Sequence, residues 1–134
     1  MQIENINIVN QDLLITSEKV KQLLPLSEKA KTTVEFGRIQ IQSILDHQDP
    51  RLFVIVGPCS VHDVDAAIGY ASRLRDLAEE IKDTIVIVMR GYFEKPRTTV
   101  GWKGLINDPL LNGSFMIEEG LIKARKLLLS ISEL

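Results

Sequence analysis

Two short runs, Leu52–Val56 and Ile85–Met89, are apolar at every position and rich in β-branched residues. A strand with one wet face alternates apolar and polar side chains; a continuous run predicts a strand buried on both faces, as in parallel sheets. Between them the period changes. Asp63 is placed to cap a helix, and Ala67, Tyr70, Ala71, Leu74, Leu77, Ala78 and Ile81 recur at the spacing of one helical face. After the second run comes a long polar loop. A further helix from about Ile117 then carries Ile117, Leu121, Ala124, Leu128 and Ile131 on one side. Strand, helix, strand, loop, helix predicts an α/β fold of parallel strands joined by right-handed crossovers. Two such strands cannot bury both of their own faces, so the chain reads as the first part of a longer protein.

Residues 1–50 have a different rhythm and read as an extension ahead of residues 51–134. Residues 2–9 place Ile3, Ile6 and Ile8 in a polar setting and suggest a short edge strand. Residues 17–24 suggest a helix stopped by Pro25, because the residue before proline is pushed out of helical geometry. Ser27 is placed to cap a second helix, whose apolar face would be Ala30, Val34, Ile41, Ile44 and Leu45. Asp46, Asp49 and Pro50 should end it, and His47 at that end suits the helix dipole without implying chemistry.

Charge narrows the function. The net charge of −2 over 134 residues argues against a nucleic acid or an anionic membrane as partner. No apolar run approaches the ~18 residues of a membrane span. A single cysteine and the lack of a signal-peptide pattern predict a cytoplasmic protein. Positive charge is instead concentrated locally. MRGYFEKPRTTVGWKGLINDP, residues 89–109, gathers Arg90, Lys95, Arg97 and Lys103 with Thr98, Thr99 and three glycines, directly after a strand. Arginine offers a planar fork for carboxylate or phosphate and lysine a point charge, so this is a candidate anion-handling loop.

The other candidate loop, GPCSVHD at residues 57–63, follows the first strand. Ligands of β/α folds gather at the C-terminal ends of strands, so both loops should face one site. Several residues admit more than one reading. Cys59 is a metal ligand, a nucleophile or a small buried residue, and Cys59 with His62 falls short of the four ligands of a closed zinc site. His62 and Asp63 equally suit a plain helix start. Lys95 has the cationic neighbours of a Schiff-base lysine. Glu94 is an acid–base group or, more often in such company, an ion-pair partner. Trp102 reads as packing under the loop, and Tyr92 and Phe93 as core anchors of the strand end.

Taken together, GPCSVHD and MRGYFEKPRTTVGWKGLINDP resemble the type I 3-deoxy-D-arabino-heptulosonate 7-phosphate (DAHP) synthases, specifically the feedback-regulated bacterial and fungal subgroup. The resemblance runs the length of the chain, through the RKLLL run at residues 125–129, and covers about the first third of a family member. It implies the first two βα units of a (β/α)8 TIM barrel, with residues 1–50 as an N-terminal extension at the subunit interface and inhibitor site. It implies an aldol-type condensation of phosphoenolpyruvate with D-erythrose 4-phosphate, with phosphate released, as the first step of the shikimate pathway. It further implies a divalent metal ion (Mn, Fe, Co or Zn), a homo-oligomer at full length and an aromatic amino acid as feedback inhibitor.

Carried over position by position, the resemblance makes Cys59 a metal ligand. Arg90 and Lys95 become phosphoenolpyruvate contacts, with Lys95 also reaching the aldehyde oxygen, and Arg97 and Thr98 hold the phosphate of erythrose phosphate. This favours metal chemistry over a Schiff base. Departures are Gly91, where the family usually has valine, and residues 110–112, where a histidine usually begins the stretch. An arabinose 5-phosphate enzyme would resemble Lys-Ala-Asn-Arg-Ser at residues 95–99, which read Lys-Pro-Arg-Thr-Thr here. The alternative outside catalysis is a non-catalytic fragment acting at most as an interaction segment.

Overall fold

The computed structural model describes residues 4, 6–8, 11–96 and 100–134. Strands β1 (Leu52–Val56) and β2 (Ile85–Met89) pair in parallel, from Leu52 opposite Ile85 to Val56 opposite Met89. Helix α3 (Val64–Ile81) makes the crossover and packs on β2. Ahead of the sheet lie α1 (Ser17–Leu23) and α2 (Glu28–Leu45), and behind it α4 (Ile117–Ser132). The result is the mixed α/β unit that the strand runs and helix periods predict.

Local chemistry sets the helix starts. Thr16, Ser27 and Asp63 each accept a backbone N–H three residues on, from Lys19, Ala30 and Ala66. Leu24, before Pro25, leaves the helix as its C-cap, one residue earlier than expected. Helix α4 has no side-chain cap but carries Glu118 and Glu119 in its first turn, where the dipole favours them. It is tied to the α1–α2 junction by Arg125 Nε donating to the Leu24 carbonyl at 3.2 Å and Ser27 Oγ donating to Glu133 Oε1 at 2.5 Å.

The core lies under the two loops rather than beneath the sheet. Val61, Ala67, Leu105 and Leu127 form its buried centre, with Val64, Ile68, Phe93, Trp102 and Ile131 packed around it. Val61 and Leu105 come from the two candidate loops, so each loop is anchored by an apolar side chain worth roughly 1.5–3 kcal/mol on burial.

Several expectations are corrected. Ile6 and Asn7 form a turn and Ile8 is not in a strand; the rest of the proposed edge strand is mostly outside the described residues. On α2 only Ala30 is buried, while Val34 and Leu45 are exposed, because α2 meets its neighbours along a narrow strip. On α3 Leu77 is exposed. The inward stripe of α4 is Gly120, Ala124 and Leu127, with Leu128 turned outward. A Cβ at Gly120 would overlap the Ile106 carbonyl, and that close approach sets which side of α4 faces in. Leu52, Val54 and Ile55 of β1 are exposed, against the expectation of burial on both faces. Among the described residues, a two-stranded sheet with helices mainly over β2 leaves them uncovered.

Candidate functional site

The C-terminal ends of β1 and β2 are laced together by backbone. Arg90, the first residue past β2, donates its N–H to the Val56 carbonyl at 2.8 Å, and Val61 N–H reaches the Tyr92 carbonyl at 2.7 Å. The approach is close enough that a Cβ on Gly57 would overlap the Arg90 carbonyl oxygen. Glycine is therefore required at the head of the first loop for steric reasons.

The Arg90 side chain folds back across this seam. Nη2 donates to the Gly57 carbonyl at 3.1 Å and Nε to the Pro58 carbonyl at 3.3 Å. Two of the guanidinium's five N–H groups are thereby spent on fixing its position. The guanidinium carbon also lies 5.2 Å from the centre of the Tyr92 ring, and Lys95 Nζ lies 5.7 Å from the same ring. Tyr92 thus holds two cations in one neighbourhood, each contact worth about 0.5–1 kcal/mol when exposed. The expectation that Tyr92 anchors the core is wrong: it is exposed, while Phe93 packs inward. Alternation along an extended segment sends only one of two adjacent side chains inside.

Cys59 is exposed, next to the Pro58 carbonyl that Arg90 grips. The purely structural reading of a buried cysteine does not hold. Beside it the Ser60 hydroxyl oxygen is buried without a hydrogen-bond partner among the described residues. His62 is exposed, and Asp63 is occupied as the cap of α3. An exposed thiol at a strand end fits one soft ligand of a divalent metal. Among the described residues no three His, Cys, Asp or Glu side chains gather closely enough to complete a set.

The second loop closes on itself. Glu94 and Gly104 form an antiparallel bridge, and Lys95 N–H donates to the Lys103 carbonyl at 2.8 Å. Arg97 and Thr98, between those residues in sequence, lie outside the described residues. Glu94 accepts from Asn107 Nδ2 at 2.9 Å, and among the described residues this replaces the expected ion pair. Trp102 packs under the loop as expected and donates Nε1–H to the Asp108 carbonyl at 2.9 Å.

Asn107 and Asp108 were not evident as site residues in the sequence. The signal was there as turn chemistry: Asn-Asp-Pro followed by Asn-Gly at residues 107–113. At the opposite, N-terminal ends of the strands, Arg51 forks onto Asp49, with Nη2 to Oδ2 at 2.6 Å, and donates to the Lys82 carbonyl at 2.8 Å. The Arg51 hydrogen bonds hold the Asp49 carboxyl below its ordinary pKa and raise that of Arg51. That end is a fastening, and the exposed thiol and cations are at the other.

Residues 22–133 match the family model described as the DAHP synthetase I family. The Tyr-sensitive phospho-2-dehydro-3-deoxyheptonate aldolase of Escherichia coli (strain K12) is 50% identical over 129 residues, covering 96% of this chain and 36% of the relative. The Phe-sensitive enzyme of the same organism is 53% identical over 136 residues, covering 95% and 38%. A solved phospho-2-dehydro-3-deoxyheptonate aldolase from Francisella tularensis SCHU S4 superposes with a TM-score of 0.88 at 44% identity, over 95% of this chain and 37% of that one. The chain therefore spans little more than a third of the length of these relatives.

Proposed function

Because the chain belongs to the DAHP synthetase I family, we propose that it supplies the first two βα units of a (β/α)8 barrel enzyme. That enzyme condenses phosphoenolpyruvate with D-erythrose 4-phosphate, at the entry to aromatic amino acid biosynthesis. A carbon–carbon bond forms between C3 of phosphoenolpyruvate and the aldehyde carbon, water adds at C2, and phosphate leaves. The observation that carries the reading is the Arg90 guanidinium bonded to the Gly57 and Pro58 carbonyls. It puts the cation-rich loop and the cysteine loop at one place, at the strand ends where a β/α fold binds its ligand.

Each residue then has a task. Arg90, pre-set by its two carbonyl contacts, pairs with the anionic groups of phosphoenolpyruvate at no further ordering cost. Lys95 adds a second cation and stands to stabilise the aldehyde oxygen as negative charge builds on it. Arg97 and Thr98 hold the phosphate of erythrose phosphate. Cys59 is one ligand of a divalent metal ion, and the rest of the ligand set comes from the part of the enzyme that this chain does not span. A metal there supplies Lewis-acid polarisation of the aldehyde. Residues 1–50 act in subunit contact and in feedback inhibition by an aromatic amino acid; for the inhibition alone, the relatives' Tyr-sensitive and Phe-sensitive names lend support.

The test is kinetic, in the full-length enzyme. Lys95→Met should cut turnover severely, whereas Arg97→Ala should chiefly raise the KM for erythrose 4-phosphate, because that phosphate is remote from the new bond. An Arg97→Ala enzyme weakened only toward phosphoenolpyruvate would reverse the assignment of substrates. A borohydride-trapped adduct on Lys95 would replace it with Schiff-base chemistry.

A further inference from the structure

Arg90 and Lys95 bring two positive charges to the ends of the strands, and among the described residues neither is in an ion pair. The carboxylate next to Lys95 in sequence, that of Glu94, accepts from Asn107 Nδ2 at 2.9 Å instead. Like charges gathered at one place repel, so something has to hold them there. One aromatic ring lies against both: Arg90 Cζ is 5.2 Å and Lys95 Nζ 5.7 Å from the centre of the Tyr92 ring. A carboxylate would neutralise the cations it held. The negative face of a ring attracts a cation and leaves its full charge for a ligand.

The ring is well rooted. The Tyr92 carbonyl accepts the N–H of Val61 at 2.7 Å, and Val61 is a core residue at 2% exposure. The next residue, Phe93, packs into that core, while Tyr92 itself is 52% exposed. Lys95 is fixed in turn by its N–H on the Lys103 carbonyl at 2.8 Å. Packing therefore accounts for Phe93 but not for an aromatic ring left half in solvent between two cations.

We propose that Tyr92 is a positioning residue whose ring face gathers the Arg90 guanidinium and the Lys95 ammonium into one doubly charged seat for phosphoenolpyruvate. The proposal rests on the assignment of that substrate to Arg90 and Lys95 above. Phosphoenolpyruvate carries its carboxylate and its phosphate on the same carbon, so two cations held together suit it better than either alone. Lys95 also stands at the aldehyde oxygen, so loss of the ring lowers turnover as well. Binding of phosphoenolpyruvate without the second substrate is the readout that isolates the seat.

In the full-length, manganese-loaded enzyme, with folding checked by circular dichroism, that binding is measured by isothermal titration calorimetry. Tyr92→Phe keeps the ring face and loses only the hydroxyl, whereas Tyr92→Leu keeps apolar bulk and loses the face. The Phe variant should bind phosphoenolpyruvate within about twofold of the wild type. The Leu variant should bind it roughly fivefold to thirtyfold more weakly, the equivalent of two exposed cation–π contacts. A side chain that only packed would be replaced as well by leucine. If Tyr92→Leu does not fold, Tyr92→Met makes the same comparison.

Wild-type affinity in the Leu variant, or equal weakening in Phe and Leu, would overturn the seat and leave the substrate assignment standing. Inorganic phosphate is the second probe. If the wild type binds phosphate but not phosphoenolpyruvate, and only the Leu variant loses phosphate affinity, the seat stands for another anion and the substrate assignment falls. Unaltered phosphate affinity in that case, or a wild type that binds neither probe, would overturn both.

Discussion

Replacing Gly57 by alanine should be far more damaging than making the same change at Gly91, although both glycines sit at the strand ends. An added Cβ at Gly57 would overlap the Arg90 carbonyl oxygen and lie 2.9 Å from the Arg90 nitrogen and 3.1 Å from its carbonyl carbon. All three are backbone atoms of the neighbouring strand's continuation, so nothing flexible can yield. Relief requires the β1 and β2 ends to part, which stretches the 2.8 Å bond from Arg90 N–H to Val56. Overpacking of this kind costs about 1–3 kcal/mol. At Gly91 the added Cβ would meet only Leu128 Cδ2, at 3.8 Å, an ordinary contact against a side chain that is 44% exposed. Alanine there restricts the unfolded chain and should stabilise by about 0.4–1 kcal/mol. Thermal unfolding of the full-length enzyme, followed by circular dichroism, would read the pair. At about 2–4 °C per kcal/mol for a large domain, Gly57→Ala should lower the Tm by roughly 2–12 °C. Gly91→Ala should leave it unchanged or raise it. Equal shifts for the two variants would refute the close approach at Gly57.

Cys59→Ser in the full-length enzyme should lose most metal affinity, since a hydroxyl is a poorer ligand than a thiolate for the metals concerned; unchanged metal content by elemental analysis would remove Cys59 from the ligand set. Asp49 is held below its ordinary pKa of 3.8 mainly by the Arg51 hydrogen bonds. Its contribution to stability is therefore complete above that value and lost as pH falls below it through the lower folded value. Asp49→Asn should flatten the acid limb of the stability curve there, and an unaltered limb would contradict the pairing. The 134-residue chain by itself should self-associate, because Leu52 and Ile55 of β1 are 68% and 62% exposed beside a strand edge that no described strand pairs with. A monodisperse monomer in sedimentation velocity would contradict this.

What the sequence revealed and what it hid divide along a physical line. The strands, the crossover helix and the caps Ser27 and Asp63 are decided within a few residues of themselves, and they stand where periodicity and cap chemistry put them. Which helical face turns inward is decided by partners distant in sequence. The 3.6-residue period of α4 suits Leu128 as well as Leu127, until Gly120 meets the Ile106 backbone. The same holds for the site. Arg90, Lys95 and Cys59 announce themselves by residue type and place. The Asn107 link to Glu94 and the Asp108 link to Gly113 are invisible until the loop closes, because a side-chain amide and a buried carboxylate carry no periodic signature. Tyr92 was misplaced for a related reason: apolar bulk predicts burial, but adjacent positions of an extended segment point opposite ways.

The central claim is that the strand-end site of Cys59, Arg90 and Lys95 belongs to a metal-dependent enzyme joining phosphoenolpyruvate to erythrose 4-phosphate. It is tested most directly by fusing this chain to the remaining two thirds of the E. coli Tyr-sensitive relative and measuring phosphate release by the purified, folded chimera. The expected result is release that needs both substrates, equals the phosphoenolpyruvate consumed, stops on chelation, and returns with manganese but not in the Cys59→Ser chimera. Release that persists after chelation and in Cys59→Ser, or a folded chimera inert with manganese, iron, cobalt and zinc alike, would contradict it.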